Sequence, residues 1–344
     1  MARLAQPARP GPVAVWLLVC CALIFAMVVL GGVTRLTRSG LSIVEWNPVM
    51  GAIPPLTEHQ WEAEFEKYRQ TPEYLKVNYG MSLAAFKQIY WVEFAHRLLG
   101  RAIGFVFLVP FLYFLVRKRI GRELAPKLVT LFVLGGLQGA LGWYMVASGL
   151  VDDPHVSAYR LTAHLGLAVV IYGYMFWVAL GLMYPEGRPT PPGVRRFAWA
   201  VTGLVFVTIL AGGFVAGTRA GFLFNTWPLM NGRLVPEGLY ALHPWWLNWF
   251  ENVATVQFNH RWLAYAVVLA TVALWIAVAR AAPAARARTA AHLLLAAVLL
   301  QFGLGIATLL TIVPVSLGAA HQGGALLVLT AALFLNHALR KAQF

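Results

Sequence analysis

Charged residues are scarce in this sequence. Of its 344 residues, 12% are Asp, Glu, Lys or Arg and 60% are hydrophobic, whereas soluble domains carry about 25% charged residues. This shortage excludes a disordered chain and a typical soluble enzyme. Apolar stretches such as 13–30 and 290–313 reach the roughly 20 residues that a helix needs to cross a bilayer. The sequence therefore predicts an all-α integral membrane protein.

Cysteine is nearly absent as well. The two cysteines, Cys20 and Cys21, are adjacent within the first apolar stretch. Neighbouring residues of a helix point about 100° apart, which makes this a poor disulfide pair and a poor metal site. We interpret them as small core residues. The basic segment before them lacks a small-residue cleavage pattern, so we expect the first helix to be retained rather than removed as a signal peptide.

Acidic residues are few, with 13 against 27 basic ones, and the signs are unevenly distributed. Hydropathy predicts eight spans, at roughly 13–34, 93–116, 127–148, 160–183, 196–217, 257–279, 289–313 and 318–339. With the N-terminus inside, the inner loops hold 15 basic and two acidic residues, and the rest of the chain holds 12 and 11. The positive-inside rule then places both termini in the cytoplasm. Because the charge follows the loops, the net charge of +14 does not indicate a nucleic acid partner.

The outer loops differ in length. The first covers about residues 35–90, where Thr57 and Gln60 form a capping-box pattern. This pattern predicts a short surface-lying helix with three aromatic residues, Trp61, Phe65 and Tyr68. The loop from about 219 to 255 is rich in tryptophan, and we interpret most of these as an aromatic belt at the membrane interface.

The two halves of the chain repeat each other. Three short segments recur, with FAHR at 94–97 matching FNHR at 258–261, LQG at 137–139 matching LQFG at 300–303, and TAHLG at 162–166 matching AAHQG at 319–323. Each half has four spans, an even number, so both halves enter the membrane in the same orientation. The sequence therefore predicts two tandem four-helix bundles, residues 1–185 and 186–344, related by a pseudo-two-fold axis along the membrane normal. A linker at about 185–192 joins them.

Four of the nine histidines occupy matched places, His96 and His164 in the first half and His260 and His321 in the second. Each lies in the opening turns of an even-numbered span, toward the outer leaflet. Two histidines on two helices of a four-helix unit match what bis-histidine haem ligation requires. Zinc is the alternative, but it needs about four converging ligands, and the repeat separates these histidines two by two. The remaining histidines have no matched partners and receive no ligand role: His59, His155, His243, His292 and His337.

Arg97 and Arg261 follow the first histidine of each pair. Haem propionates are anionic, so we expect these arginines to contact them. The alternative is that both arginines snorkel to the membrane interface.

One polar position differs between the repeats. Glu93 precedes His96 by three residues, whereas Gln257 precedes His260. Residues three apart share a helix face, so Glu93 is expected to face the same pocket as His96, or else to pair with Arg97 at i+4. Since glutamine cannot ionise, the difference predicts one reactive centre and one electron-handling centre.

At these motifs the sequence resembles the heme A synthase family. The most specific segments are GGVTRLTRSGLSIVEWNPVMGAIPP at 31–55, EFAHRLLGR at 93–101, FNHR at 258–261 and AAHQGG at 319–324. The resemblance implies oxidation of the C8 methyl group of haem O to a formyl group by successive hydroxylations, giving haem A for cytochrome c oxidase. It implies that His96 and His164 hold the substrate haem, that His260 and His321 hold a haem b cofactor, and that Glu93 is the essential catalytic acid.

The resemblance also implies a place and partners. The chain is expected in a bacterial inner membrane, or a mitochondrial one if eukaryotic, with its haem sites toward the periplasmic side. Candidate partners are heme O synthase, an electron-transfer protein and a second copy of the chain. Some relatives carry a cysteine pair in the first outer loop, which this chain lacks. Two other functions remain as alternatives, a di-haem quinol or ferric reductase and a haem transporter or chaperone.

Overall fold

The computed structural model describes residues 11–340 apart from 48–49, 151–153, 155, 186–189 and 282. Within these residues the chain is helical, and its only strand-like feature is an isolated bridge between Met230 and Arg233. The α-helices are α1 (Pro12–Leu36), α2 (Glu58–Arg69), α3 (Pro72–Lys76), α4 (Leu83–Val116), α5 (Ala125–Gly149), α6 (Ala158–Met183), α7 (Pro192–Gly217), α8 (Val253–Arg280), α9 (Ala285–Leu310) and α10 (Val315–Ala338). Short 3-10 turns lie at Met50–Ala52, Ala220–Phe222 and Trp245–Trp249.

Eight of these helices, α1 and α4 to α10, are long and apolar enough to cross a membrane. The predicted all-α membrane fold with eight spans is therefore confirmed. One boundary was wrong: α4 begins at Leu83, ten residues before the predicted start at 93. Ser82 caps it by accepting a hydrogen bond from the Ala85 N–H. The first outer loop accordingly ends near residue 82.

The short helix in that loop packs on the outer extension of α4. Thr57 and Gln60 form the predicted capping box at the start of α2, which confirms that helix. Trp61 lies 4.9 Å from Tyr90, and Phe65 lies 5.0 Å from Phe86, measured between ring centroids. These aromatic contacts explain why α4 continues beyond the apolar span, since its added turns are buried by α2 rather than by lipid.

The spans contact one another in two groups. In the first, α4 contacts α1 and α5, and α6 contacts α1 and α5; in the second, α8 contacts α7 and α9, and α10 contacts α7 and α9. The groups meet where α1 packs on α10 and where α6 packs on α7 and α10. This pattern is compatible with two tandem bundles, whereas their two-fold axis and the boundary at 185 stay predictions. Residues 186–189 of the linker lie outside the described residues.

Aromatic side chains cluster at the end of the first group where α1 begins. Trp16 lies 5.2 Å from Phe107 and 5.6 Å from Phe114, and Phe107 stacks on Phe132 of α5 at 6.4 Å. Cys20 is buried beside this cluster and forms no disulfide, in agreement with the core role predicted for it. The four matched histidines lie nearer the opposite ends of their helices.

Candidate functional site

The first-half histidines each face a glycine on a neighbouring helix. His96 of α4 lies against Gly31 of α1, so that a Cβ at this glycine would be 3.4 Å from Nε2 of the imidazole. His164 of α6 lies against Gly142 of α5, where a Cβ would come within 2.9 Å of the ring. A Cβ at Gly142 would crowd the His164 ring, whereas one at Gly31 would be in ordinary contact with the His96 ring.

The second half repeats this arrangement. His260 of α8 lies against Gly212 of α7, where a Cβ would be 3.2 Å from Cε1 of the ring. His321 of α10 lies against Gly305 of α9, where a Cβ would be 2.8 Å from Cε1. The two histidines of each half also lie close enough for their charges to influence each other, His96 with His164 and His260 with His321. The structure thus brings the four predicted ligands together two by two.

Matched glutamines hold the second histidine of each pair. Gln138 of α5 donates to the His164 carbonyl oxygen at 3.1 Å, and its Nε2 is 3.4 Å from His164 Nε2. Gln301 of α9 donates to the His321 carbonyl oxygen at 2.8 Å, with its Nε2 3.1 Å from His321 Nδ1. Sequence reasoning did not single out these glutamines, although their recurrence in the duplicated LQG segment was a signal that could have found them.

The histidine surroundings fit an iron porphyrin. Each of the four histidines is only partly buried, so each keeps some accessible surface. Nδ1 of His164 and Nδ1 of His260 are buried without a hydrogen-bond partner, and buried polar atoms normally have one. Among the described residues, no three His, Cys, Asp or Glu side chains converge on a common point. The donor set therefore fits two axial imidazoles better than a zinc site.

Glu93 is buried and its carboxylate is fully engaged. One oxygen accepts hydrogen bonds from Arg97 Nε at 2.9 Å and Nη2 at 2.6 Å. The other accepts from the Ser42 N–H at 2.7 Å, the Ser42 hydroxyl at 2.8 Å and the Ile43 N–H at 2.9 Å. The carboxylate thus joins α4 to the chain that leaves α1, which is the ion-pair alternative left open from the sequence. A role in proton transfer stays a prediction.

The counterpart in the second half is built without a carboxylate. Gln257 donates to the Phe224 carbonyl oxygen at 3.2 Å, and its own oxygen Oε1 is buried without a partner. Arg261 donates to the carbonyl oxygens of Phe224 at 2.6 Å and Thr226 at 2.9 Å. Here the loop is held by carbonyl acceptors alone.

Arg97 and Arg261 therefore each donate hydrogen bonds to the loop that precedes their own helix. Arg97 also donates to the carbonyl oxygens of Ile43 at 2.8 Å and Glu45 at 3.1 Å, as Arg261 does to its own loop. Their predicted contact with haem propionates stays a prediction. His337, which received no ligand role, is completely buried and packs 5.2 Å from Trp177.

A second acidic residue near the site was missed from the sequence. Glu73 of α3 is 4% exposed, and its Oε2 has no hydrogen-bond partner. Burial raises the pKa of Glu73 to about 7, Glu93 adds to the increase, and Arg38, Arg219 and Arg35 oppose it. The group sits in the outer loop that Glu93 anchors, outside the spans.

Comparison with known proteins indicates the family. Residues 14–333 match the family model COX15-CtaA, described as cytochrome oxidase assembly protein. The chain is 56% identical to a protein named heme A synthase from Nitrosospira multiformis over 335 residues, 96% of this chain and 94% of the relative. It is similar to proteins of the same name from Nitrosomonas eutropha, at 54% identity over 94% of this chain and 92% of the relative, and Rhodospirillum centenum, at 53% over 98% and 90%.

Proposed function

The chain belongs to the COX15-CtaA family of cytochrome oxidase assembly proteins, and from this premise we propose that it acts as a heme A synthase. The observation that carries the proposal is the duplicated histidine pair, each ring fitted against a glycine on a neighbouring helix. Full-length relatives at 53–56% identity carry the same name, which supports the proposed activity.

We propose different tasks for the two halves. His96 and His164, in the half formed by residues 1–185, would hold the substrate, haem O. His260 and His321, in residues 186–344, would hold a haem b cofactor, which supplies one-electron chemistry when bound. The difference between Glu93 and Gln257 supports this division, because a group that can ionise lies only beside the first pair at this matched position.

The proposed reaction is an oxidation at a CH group. In each of two steps the C8 methyl of haem O would gain a hydroxyl group from water and lose two electrons and two protons, the electrons passing to an electron-transfer protein. The resulting diol would then lose water to give the formyl group of haem A. The protein's part is to fix the porphyrin by two imidazoles, which Gln138 orients on the α6 side. Arg97 and Glu93 hold the Ser42–Ile43 segment over the outer end of α4, and in this proposal Glu93 also accepts or returns a proton during turnover.

The proposed location is the inner membrane of a bacterium, since the relatives are bacterial and eight helices can cross a bilayer. Both termini would be cytoplasmic and the haem sites would face the periplasm, as the charge distribution predicts. Heme O synthase and an electron-transfer protein are proposed partners, because haem O must reach the site and the electrons removed in the oxidation must leave it. A second copy of the chain is a further candidate.

The test is production of haem A in a bacterial strain whose own heme A synthase is deleted. Extracted haems are separated by chromatography after expression of the wild-type chain or of H96A. We expect haem A with the wild type and haem O with the variant. A di-haem reductase or a haem transporter would leave haem O unconverted in both strains, which would overturn the proposal.

A further inference from the structure

The two halves differ in how tightly one pair of spans packs. In the second half α8 and α9 make extensive contact, whereas the corresponding α4 and α5 make the least extensive contact of any neighbouring spans in the described chain. Repeats that share a histidine site would be expected to pack alike, so the loose seam between α4 and α5 needs an explanation of its own.

A ring contact closes the seam in the second half. Tyr265 of α8 and Phe302 of α9 lie 5.4 Å apart, measured between centroids. By the alignment of the repeats, the positions that match them are Arg101 and Gly139. Arg101 donates to the Asn47 carbonyl oxygen of the outer loop at 2.9 Å. A Cβ at Gly139 would meet no atom within 4 Å, so open space lies where the second half has a ring.

In the first half, the seam has a ring contact away from the histidines. Among the described residues, the ring contact that joins α4 to α5 is Phe107 with Phe132, which lies toward the cytoplasmic side of the predicted topology. The second half is bridged at its inner end too, where Trp275 Nε1 donates to His292 Nδ1 at 3.0 Å. The halves therefore differ at the level of the histidines and not below it.

The open space at Gly139 lies near the histidine site. Gly139 precedes Gly142 by three residues, so both share one face of α5, and Gly142 touches the His164 ring. The helices that contact the other half are α1 and α6, which leaves the seam of α4 and α5 on the side away from it. Both helices of the seam carry exposed apolar residues, such as Phe105 of α4 at 67% and Val133 of α5 at 54% exposure.

We propose that the seam between α4 and α5 is the lateral path by which haem O enters from the outer leaflet and haem A leaves, and that the contact of Tyr265 with Phe302 closes the matching path to retain the cofactor. This inference rests on the proposed function. A substrate must exchange in every turnover, whereas a cofactor must stay bound. The loose seam lies in the half proposed to hold the substrate, and the closed seam lies in the half proposed to hold the cofactor. Haem is apolar over most of its surface, so a path through lipid-facing helices suits it.

The experiment uses the purified full-length protein in lipid nanodiscs and two opposite changes. In the first half the series G139A, G139L and G139F fills the seam, and uptake of haem O is followed by its visible spectrum. In the second half F302G removes the closing ring, and transfer of haem b to excess apomyoglobin is timed. We expect G139F to slow haem O uptake at least about tenfold, with Ala and Leu intermediate, and F302G to speed haem b loss about tenfold, as loss of an aromatic contact permits.

Matched controls lie on the same helices. Leu137 and its counterpart Leu300 are exposed to lipid, at 53% and 75%, and L137F and L300G should leave both rates unchanged. Loss of haem b from the second half of G139F would show that this variant misfolds. In that case the rates of G139A, G139L and F302G test the proposal. The proposed path would be overturned if every variant at Gly139 took up haem O at the wild-type rate. It would also be overturned if F302G lost haem b no faster than L300G does. Failure of the proposed function looks different, because the wild type itself would neither take up haem O nor form haem A.

Discussion

Glu93 and Arg97 form an ion pair one helical turn apart, with 2.6 Å between carboxylate oxygen and guanidinium nitrogen and side chains only 3% and 10% exposed. The pair is joined to the loop after α1 through Ser42 and Ile43. Arg261 makes the matching loop contacts beside a neutral Gln257. The contact with the loop is therefore common to both halves, and the negative charge belongs to the first half alone.

We expect E93Q to destabilise the protein, because Arg97 would keep its charge in a buried place without a counter-charge. Breaking a buried ion pair costs about 3–5 kcal/mol. The double variant E93Q/R97Q should lose less stability than the two single variants together, since neither partner is then left as an unpaired charge. Thermal unfolding in detergent, followed for all four proteins, measures this coupling. Additive losses would mean that the ion pair contributes nothing.

The same double variant separates anchoring from catalysis. Although E93Q/R97Q should lose less stability than the two single variants together, it should still accumulate haem O or a hydroxylated intermediate, because glutamine cannot exchange a proton. Haems extracted from cells that express the variant provide the measurement. A wild-type yield of haem A would show that Glu93 only anchors the loop.

The two histidine pairs should respond differently to substitution. We expect H260A and H321A to remove the low-spin haem b spectrum from protein that still inserts into the membrane, because each loses one of two axial ligands. H96A and H164A should keep that spectrum and lose haem A formation. Reduced-minus-oxidised spectra and haem extraction measure the two properties. Equal loss of haem b from all four variants would contradict the division of tasks.

Much of the fold could be predicted because its signals are local. Apolar runs of sufficient length predict the spans, Thr57 with Gln60 predicts the start of α2, and the duplication around His96 and His260 predicts which histidines are paired. Each of these signals lies within one segment or in a comparison of two segments, so no knowledge of tertiary packing was needed.

The missed features depend on residues far apart in sequence. The start of α4 at Leu83 follows from burial against α2, which a hydropathy window does not contain. Glu93 finds Ser42 about 50 residues earlier, and the sequence pattern around Glu93 offers only Arg97 as a partner. The burial of Glu73 likewise comes from how the outer loop folds over the spans. Periodicity cannot predict such contacts.

The predicted orientation has its own test. A reporter enzyme fused after Phe344 should be active only when the reporter is one that works in the cytoplasm, because the inner loops carry the excess of basic residues. Paired fusions to a periplasmic and a cytoplasmic reporter give the comparison. Periplasmic activity at this end would place the histidines near the inner leaflet.

Glu73 should make stability depend on pH. Its folded pKa of about 7 lies above the usual 4.5, so the neutral form is favoured in the folded state. The stabilisation is fully present below pH 4.5 and is lost as the pH rises through 7, by about 3 kcal/mol for a shift of this size. We expect the wild type to lose thermal stability between about pH 5 and about pH 8. E73Q should lose less stability over the same range. Parallel profiles for the two proteins would exclude this role.

Gln138 and Gln301 should each tune only the haem of their own half. Gln301 donates to the His321 carbonyl oxygen at 2.8 Å and its Nε2 lies 3.1 Å from Nδ1 of the ring, so it holds the backbone and the ring of the proposed ligand in place. Q301L should shift the electron paramagnetic resonance signal and midpoint potential of haem b and weaken its retention about fivefold, the worth of one neutral hydrogen bond, while Q138L weakens haem O binding instead. Q322L is the control, because Gln322 follows His321 directly yet donates to the Val28 carbonyl oxygen of α1. An unchanged haem b signal in Q301L, or the same shift in Q322L, would show that Gln301 does not position the ligand.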